Sequence, residues 1–159
     1  MASSKPPALL PLLVALSATA MLAAGQGCGG HKVTLHNLCG QDLKLNLEEV
    51  ANSMVLFPNG WVLPDGKHAS FDVCAWTGDV LAAGAAAAKV HLGHDGGAYY
   101  EVSTQQSGPV RVSVTPHGSP LQGHCPTAGC NGGNHCFDHS VPDGNCHGVT
   151  EMKIVYYRP

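Results

Sequence analysis

The chain has 159 residues, a formal net charge of −3 at pH 7, and 12% charged against 44% hydrophobic side chains. That length suits one domain around one core. The mildly acidic balance, with no basic run able to neutralise a phosphate backbone, argues against a nucleic-acid partner.

At the start, Lys5 leads into P-P-A-L-L-P-L-L-V-A-L-S-A-T-A-M-L-A-A-G, an apolar stretch that ends in small residues. This predicts a secretory signal peptide over residues 1–25, cut after Gly25, with Ala20 and Gly27 as alternative ends, and a single domain over 26–159. Pro11, Ser17 and Thr19 interrupt the run, so no membrane association is expected. Lys5 is the only charged residue in that segment, so its removal takes the net charge from −3 to −4. All seven cysteines lie beyond the segment. A secreted chain meets an oxidising compartment, so disulfides are expected, and an odd count leaves at least one thiol free, capped or paired between molecules.

Further along, H-K-V-T-L-H-N-L-C sets Val33, Leu35 and His36 against polar neighbours as a first strand, and Leu43, Leu45 and Leu47 alternate as a second. Pro58-Asn59-Gly60 and Pro64-Asp65-Gly66 are turns, because proline fixes φ and glycine tolerates a positive one. The run V-L-A-A-G-A-A-A-A-K-V has helical propensity, but Gly84 interrupts it and a strand pattern follows at once. A loop or at most one helical turn is expected there. Ala88 to Gly118 reads as two strands and a turn: Tyr99, Tyr100, Val102, Val110, Val112 and Val114 are β-branched or aromatic, and V-R-V-S-V alternates at period two. Gly96-Gly97 and Gly108-Pro109 punctuate it. Residues 119–149 hold four cysteines and almost no periodicity, which predicts a loop held by cross-links rather than by a core. E-M-K-I-V-Y-Y-R-P is a last strand. Together these elements predict an all-β, disulfide-stabilised antiparallel β-sandwich of about ten short strands.

The order A-K-V-H-L, turn, Y-E-V-S, a Pro-led strand, V-T-P-H-G and C-x4-C resembles the centre of the thaumatin-like, pathogenesis-related proteins of plants. The opening strand ending in Asn-x-Cys, the segment L-P-D-G-K-H-A-S-F-D-V and the closing Y-Y-R-P are similar to other parts of that family. The short length and few cysteines resemble its small, trimmed members, which include thaumatin-like xylanase inhibitors and lack the larger relatives' second domain. The resemblance weakens after Cys74, where the family's Arg-bearing, disulfide-stapled segment is missing. It implies a bond from Cys125 to Cys146, and a bond from Cys130 to Cys136 is expected beside it. The family partner of Cys39 is absent here, so Cys39 pairs with Cys74 or Cys28 or stays free, and Cys39–Cys74 is the pairing expected.

In the family, an Arg, a Glu and several Asp residues form an acidic cleft associated with β-1,3-glucans. By position Glu101 matches its first Asp. Gln106 stands at the second, and Lys89 replaces the Glu. Glycoside hydrolysis needs two carboxyl groups across one bond, so a lone Glu101 implies binding without catalysis. Glu101 is the expected ligand-binding residue, with Tyr99 or Tyr100 offering an aromatic face.

The His- and Cys-rich loop from His124 to His147 has no C-x2-C spacing, and its His135 and His139, four residues apart, lie on a segment with no helical pattern, so neither a metal nor any other cofactor is expected. No G-x-S-x-G or phosphate-loop motif is present. The expectation is a secreted, apoplastic, monomeric defence-type protein, not an enzyme. Its partner would be cell-wall β-glucan or a secreted microbial glycosidase. A weak β-1,3-glucan hydrolase, or a relative with no retained activity, is the alternative.

Overall fold

Apolar and polar residues alternate along nearly every extended segment, and in the computed structural model each such segment lies with its apolar side turned inward. The structure describes residues 30–48, 50–103, 108–131, 135–136 and 145–159. The expected signal segment, Gln106 and His139 lie outside them. In chain order the strands are β1 (His31–Leu38), β2 (Leu43–Glu48), β3 (Trp61–Leu63), β4 (His68–Val73), β5 (Trp76–Ala82), β6 (Ala88–Leu92) and β7 (Ala98–Val102). There follow β8 (Arg111–His117), β9 (Gln122–Gly123), β10 (Ala128–Asn131), β11 (His135–Cys136), β12 (Cys146–His147) and β13 (Glu151–Tyr157). The described residues contain no helix.

Two sheets form, with the orders β11-β10-β8-β13-β1-β4 and β3-β2-β5-β6-β7-β12-β9. We call them sheets A and B. Most pairings are antiparallel, but β1 and β13 run parallel, from Lys32 opposite Glu151 to Leu38 opposite Tyr157. Val33, Leu35, Val112, Ile154 and Tyr156 from sheet A meet Leu45, Trp76, Val80, Leu92 and Tyr100 from sheet B in a core closed to solvent. A hydrogen bond crosses it: the buried Tyr156 hydroxyl donates to the Val80 carbonyl at 3.4 Å. At one edge Phe57, Trp61 and Phe71 cluster, with ring centroids 5.0 to 6.1 Å apart, and join β3 to β4. Near the other edge, a disulfide joins Cys146 of β12 to Cys125 in the connection from β9 to β10.

The structure departs from the sequence reading in several places. The described residues form thirteen strands, some of only two residues. The Ala-rich run begins inside a strand, because Val80 and Ala82 continue the inward alternation of Trp76 and Gly78 along β5. The central stretch holds three strands, β6, β7 and β8. Residues 119–149 do more than carry cross-links: Ala128 and Cys146 are core residues on strands that join the two sheets. His36 points outward, and Asn37 takes the inward place. Asn37 is buried with its polar atoms satisfied, donating to the carbonyls of Gln41 and Leu63 and accepting from the Cys39 N–H.

The Cys39–Cys74 pairing is also corrected. Cys39 is a buried free thiol, and Cys74 is disulfide-bonded elsewhere. The cause is register. β1 and β4 pair antiparallel with His31 opposite Val73, so Cys74 lies beside the start of β1 and Cys39 just past its end. Eight residues of strand separate those points by roughly 26 Å at about 3.3 Å per residue, against the roughly 7 Å between Cα atoms that a disulfide tolerates. The backbone register sets Cys130 opposite Cys136.

His31, buried at the start of β1, has Nδ1 2.9 Å from the Val149 carbonyl and Nε2 3.1 Å from the His94 carbonyl. A neutral ring satisfies one of these acceptors and an imidazolium both.

Two consequences are measurable. Gly78 lies under the Trp76 indole, and a Cβ on it would sit 2.6 Å from that ring, while the indole N–H donates to the Met54 carbonyl. Gly78→Ala should therefore destabilise the fold by about 1–3 kcal/mol, as overpacking does, and shift the tryptophan emission. Burial raises the Cys39 pKa above that of an ordinary thiol. Mass mapping after alkylation at pH 8 should find Cys39 labelled in denaturant and protected in buffer; fast native labelling would contradict its placement.

Candidate functional site

The residues singled out in the sequence sit on β7, where alternation decides their fates. Tyr99 and Glu101 point to the outer surface of sheet B, whereas Tyr100 points into the core and is 0% exposed. The Tyr100 hydroxyl donates to the Pro126 carbonyl, and burial pushes its pKa up to about 12. Tyr100 therefore offers no face to a ligand; it belongs to the packing between the sheets.

Around Tyr99 and Glu101 the antiparallel ladders build an ordered polar surface. The register sets Glu101 opposite Lys89, Lys89 opposite Asp79, and Asp79 opposite Glu48, one residue from each of four adjacent strands. A second row sets Tyr99 opposite His91 and His91 opposite Thr77. Within the rows, Lys89 Nζ lies 3.7 Å from Asp79 Oδ2, the Tyr99 hydroxyl donates to Glu101 Oε2 at 3.3 Å, and Thr77 Oγ1 is 2.6 Å from His91 Nδ1. Lys89 keeps 43% of its side chain exposed, so its ammonium is held near Asp79 but still open to a ligand. Such an ion pair adds little stability at a surface, about 0–1 kcal/mol. What it supplies is a fixed pattern of donors and acceptors.

Glu101 is thus not a lone carboxylate. Glu48 and Asp79 share its row, and sequence comparison by position missed both because their strands lie far from β7 in the chain. The alternation of W-T-G-D-V-L-A was the signal that could have placed Asp79 and Thr77 on this face. A bound sugar would meet carboxylates, an ammonium, a hydroxyl, an imidazole and the half-buried ring of Tyr99 on one flat surface.

No protein-family model matches the chain, and no curated protein matches it. Among solved structures, the crystal structure of the protein elicitor MoHrip2 from Magnaporthe oryzae is similar at 17% identity over 80% of this chain and 98% of that one, with a TM-score of 0.48.

Proposed function

We propose that this is a secreted, defence-type protein of the thaumatin-like kind that binds cell-wall β-glucan without cleaving it, using the outer face of sheet B. The observation that carries the reading is the row Asp79–Lys89–Glu101 beside Tyr99, which sets charged hydrogen-bonding groups and an aromatic ring at strand spacing. Carboxylates accept from sugar hydroxyls, and an ammonium donates to them.

Hydrolysis is disfavoured by the same geometry. Asp79 and Glu101 are two strands apart, and Lys89 stands on the strand between them with its ammonium 3.7 Å from Asp79, where a scissile bond would have to lie. Glu48, opposite Asp79, is solvent-exposed, without the apolar pocket in which a general acid is held.

Two outcomes follow for purified protein incubated with insoluble β-1,3-glucan. The protein should be retained and release no reducing sugar above background; release abolished by Glu101→Gln would make it a hydrolase. The same substitution should weaken retention by at most about 1.5–3 kcal/mol, the range of a hydrogen bond to a charged group. Retention unchanged in Glu101→Gln would remove this face from the site.

A further inference from the structure

We propose that the outer face of sheet A is a second binding site, one for an anionic saccharide, recognised through Lys32, Lys153, His36 and His68. These residues line a shallow hollow of about 300 Å³ across β13, β1 and β4.

The ladders create it. One row across the strands reads His117, Glu151, Lys32, Asp72; the next reads Thr115, Lys153, Thr34, Ser70; the third reads Ser113, Val155, His36, His68. Arg111 stands one row further on β8, opposite Tyr157. Glu151, which also lines the hollow, and Asp72 are the acidic groups in these rows and both stand opposite Lys32, yet among the described residues neither Lys32 nor Lys153 has a carboxylate within 4.0 Å. The two ammonium groups therefore face the hollow unpaired. Beside them the His36 and His68 rings meet edge to face, 6.0 Å between centroids. Burial and then the positive charges of Lys153 and His68 hold the His36 pKa below the usual histidine value. Like charges gathered on neighbouring strands repel one another, and an anion placed among them relieves that repulsion.

The hollow fits a sugar better than a nucleic acid. Its floor carries the Thr34 and Ser70 hydroxyls, 2.8 Å apart, which exchange hydrogen bonds with sugar hydroxyls. Its lining has no Phe, Tyr or Trp ring on which a base would stack. Three strands span roughly 10 Å, enough for one extended saccharide chain. The anionic groups are carboxylates or sulfates, which both lysines accept as point charges.

Because the site holds an imidazole beside its two lysines, binding should strengthen as the pH falls. Protonation of His36 adds charge in acid, and its lowered pKa carries that gain below the ordinary histidine range near 6.5. By linkage, a bound anion raises the pKa of His36 and draws a proton onto it.

The test is isothermal titration of the full chain, at low salt, with oligogalacturonate, a sulfated oligosaccharide, a neutral glucan oligomer and a single-stranded DNA oligonucleotide of matched charge. At least one anionic sugar should bind, on the order of tenfold more tightly at pH 5 than at pH 7.5. Comparing the first two ligands decides between carboxylate and sulfate. Lys153→Gln should weaken binding by on the order of tenfold, and His36→Gln should flatten the pH dependence. Unchanged far-UV circular dichroism would show that either variant is folded. In the wild type, the His36 ring resonance followed by NMR should titrate at higher pH with the anionic sugar present. Glu101→Gln, on the opposite sheet, should leave this binding intact, so failure of the glucan reading and failure of this one are separable. Binding absent from both anionic sugars, equal for the DNA, equal at the two pH values, or lost in Glu101→Gln would overturn the proposal.

Discussion

The parallel pairing of β1 with β13 is the constraint on which the rest of the molecule depends. The first and last strands lie side by side in the middle of sheet A, and each carries the next strand outward, β4 on β1 and β8 on β13. The pairing is extended beyond the ladder by the Lys32 N–H, which donates to the Thr150 carbonyl at 2.9 Å. Sheet A therefore cannot close until the end of the chain is in place. Sheet B differs: β5, β6 and β7 follow one another as neighbouring antiparallel strands and need only short connections. Long-range pairing carries a high loop-closure cost before any contact repays it, so formation of sheet A should be the slower event in folding.

Once both sheets stand, alternation at period two turns one decision about register into the placement of every side chain. A tyrosine on β7 is a core residue or a surface residue according to parity alone, which is why Tyr99 and Tyr100 have opposite roles. The inner faces merge into one apolar core tied by the Tyr156 hydroxyl, the aromatic cluster at one edge and the Cys125–Cys146 bond near the other. That bond closes a loop spanning 21 residues of separation and should contribute roughly 3 kcal/mol by restricting the unfolded chain.

The outer faces diverge in charge. On sheet B a lysine stands among carboxylates, and the pattern is mixed; on sheet A lysines and histidines gather with few acidic neighbours. A single net charge of −3 conceals this separation. The absence of a basic run in the sequence says nothing about cations that three distant segments deliver to one surface, since Lys32, His36, His68 and Lys153 come together only through the pairing of β13, β1 and β4.

Local physics was readable from the residues themselves. Alternating Val33 and Leu35, the Leu43, Leu45 and Leu47 series, and V-R-V-S-V each declared a strand with one buried side. The glycines after Pro58-Asn59 and Pro64-Asp65 declared turns, and Gly60 and Gly66 do adopt φ of +81° and +69°. An all-β sandwich followed from those signals. The parallel contact of β1 with β13, the distance that keeps Cys39 from Cys74, the inward turn of Tyr100 and the companions of Glu101 did not. Each of these depends on which strand lies beside which and in what register. That choice is made by ladder pairing and core packing between segments up to about 120 residues apart, and nothing in the local alternation of one strand specifies its neighbour.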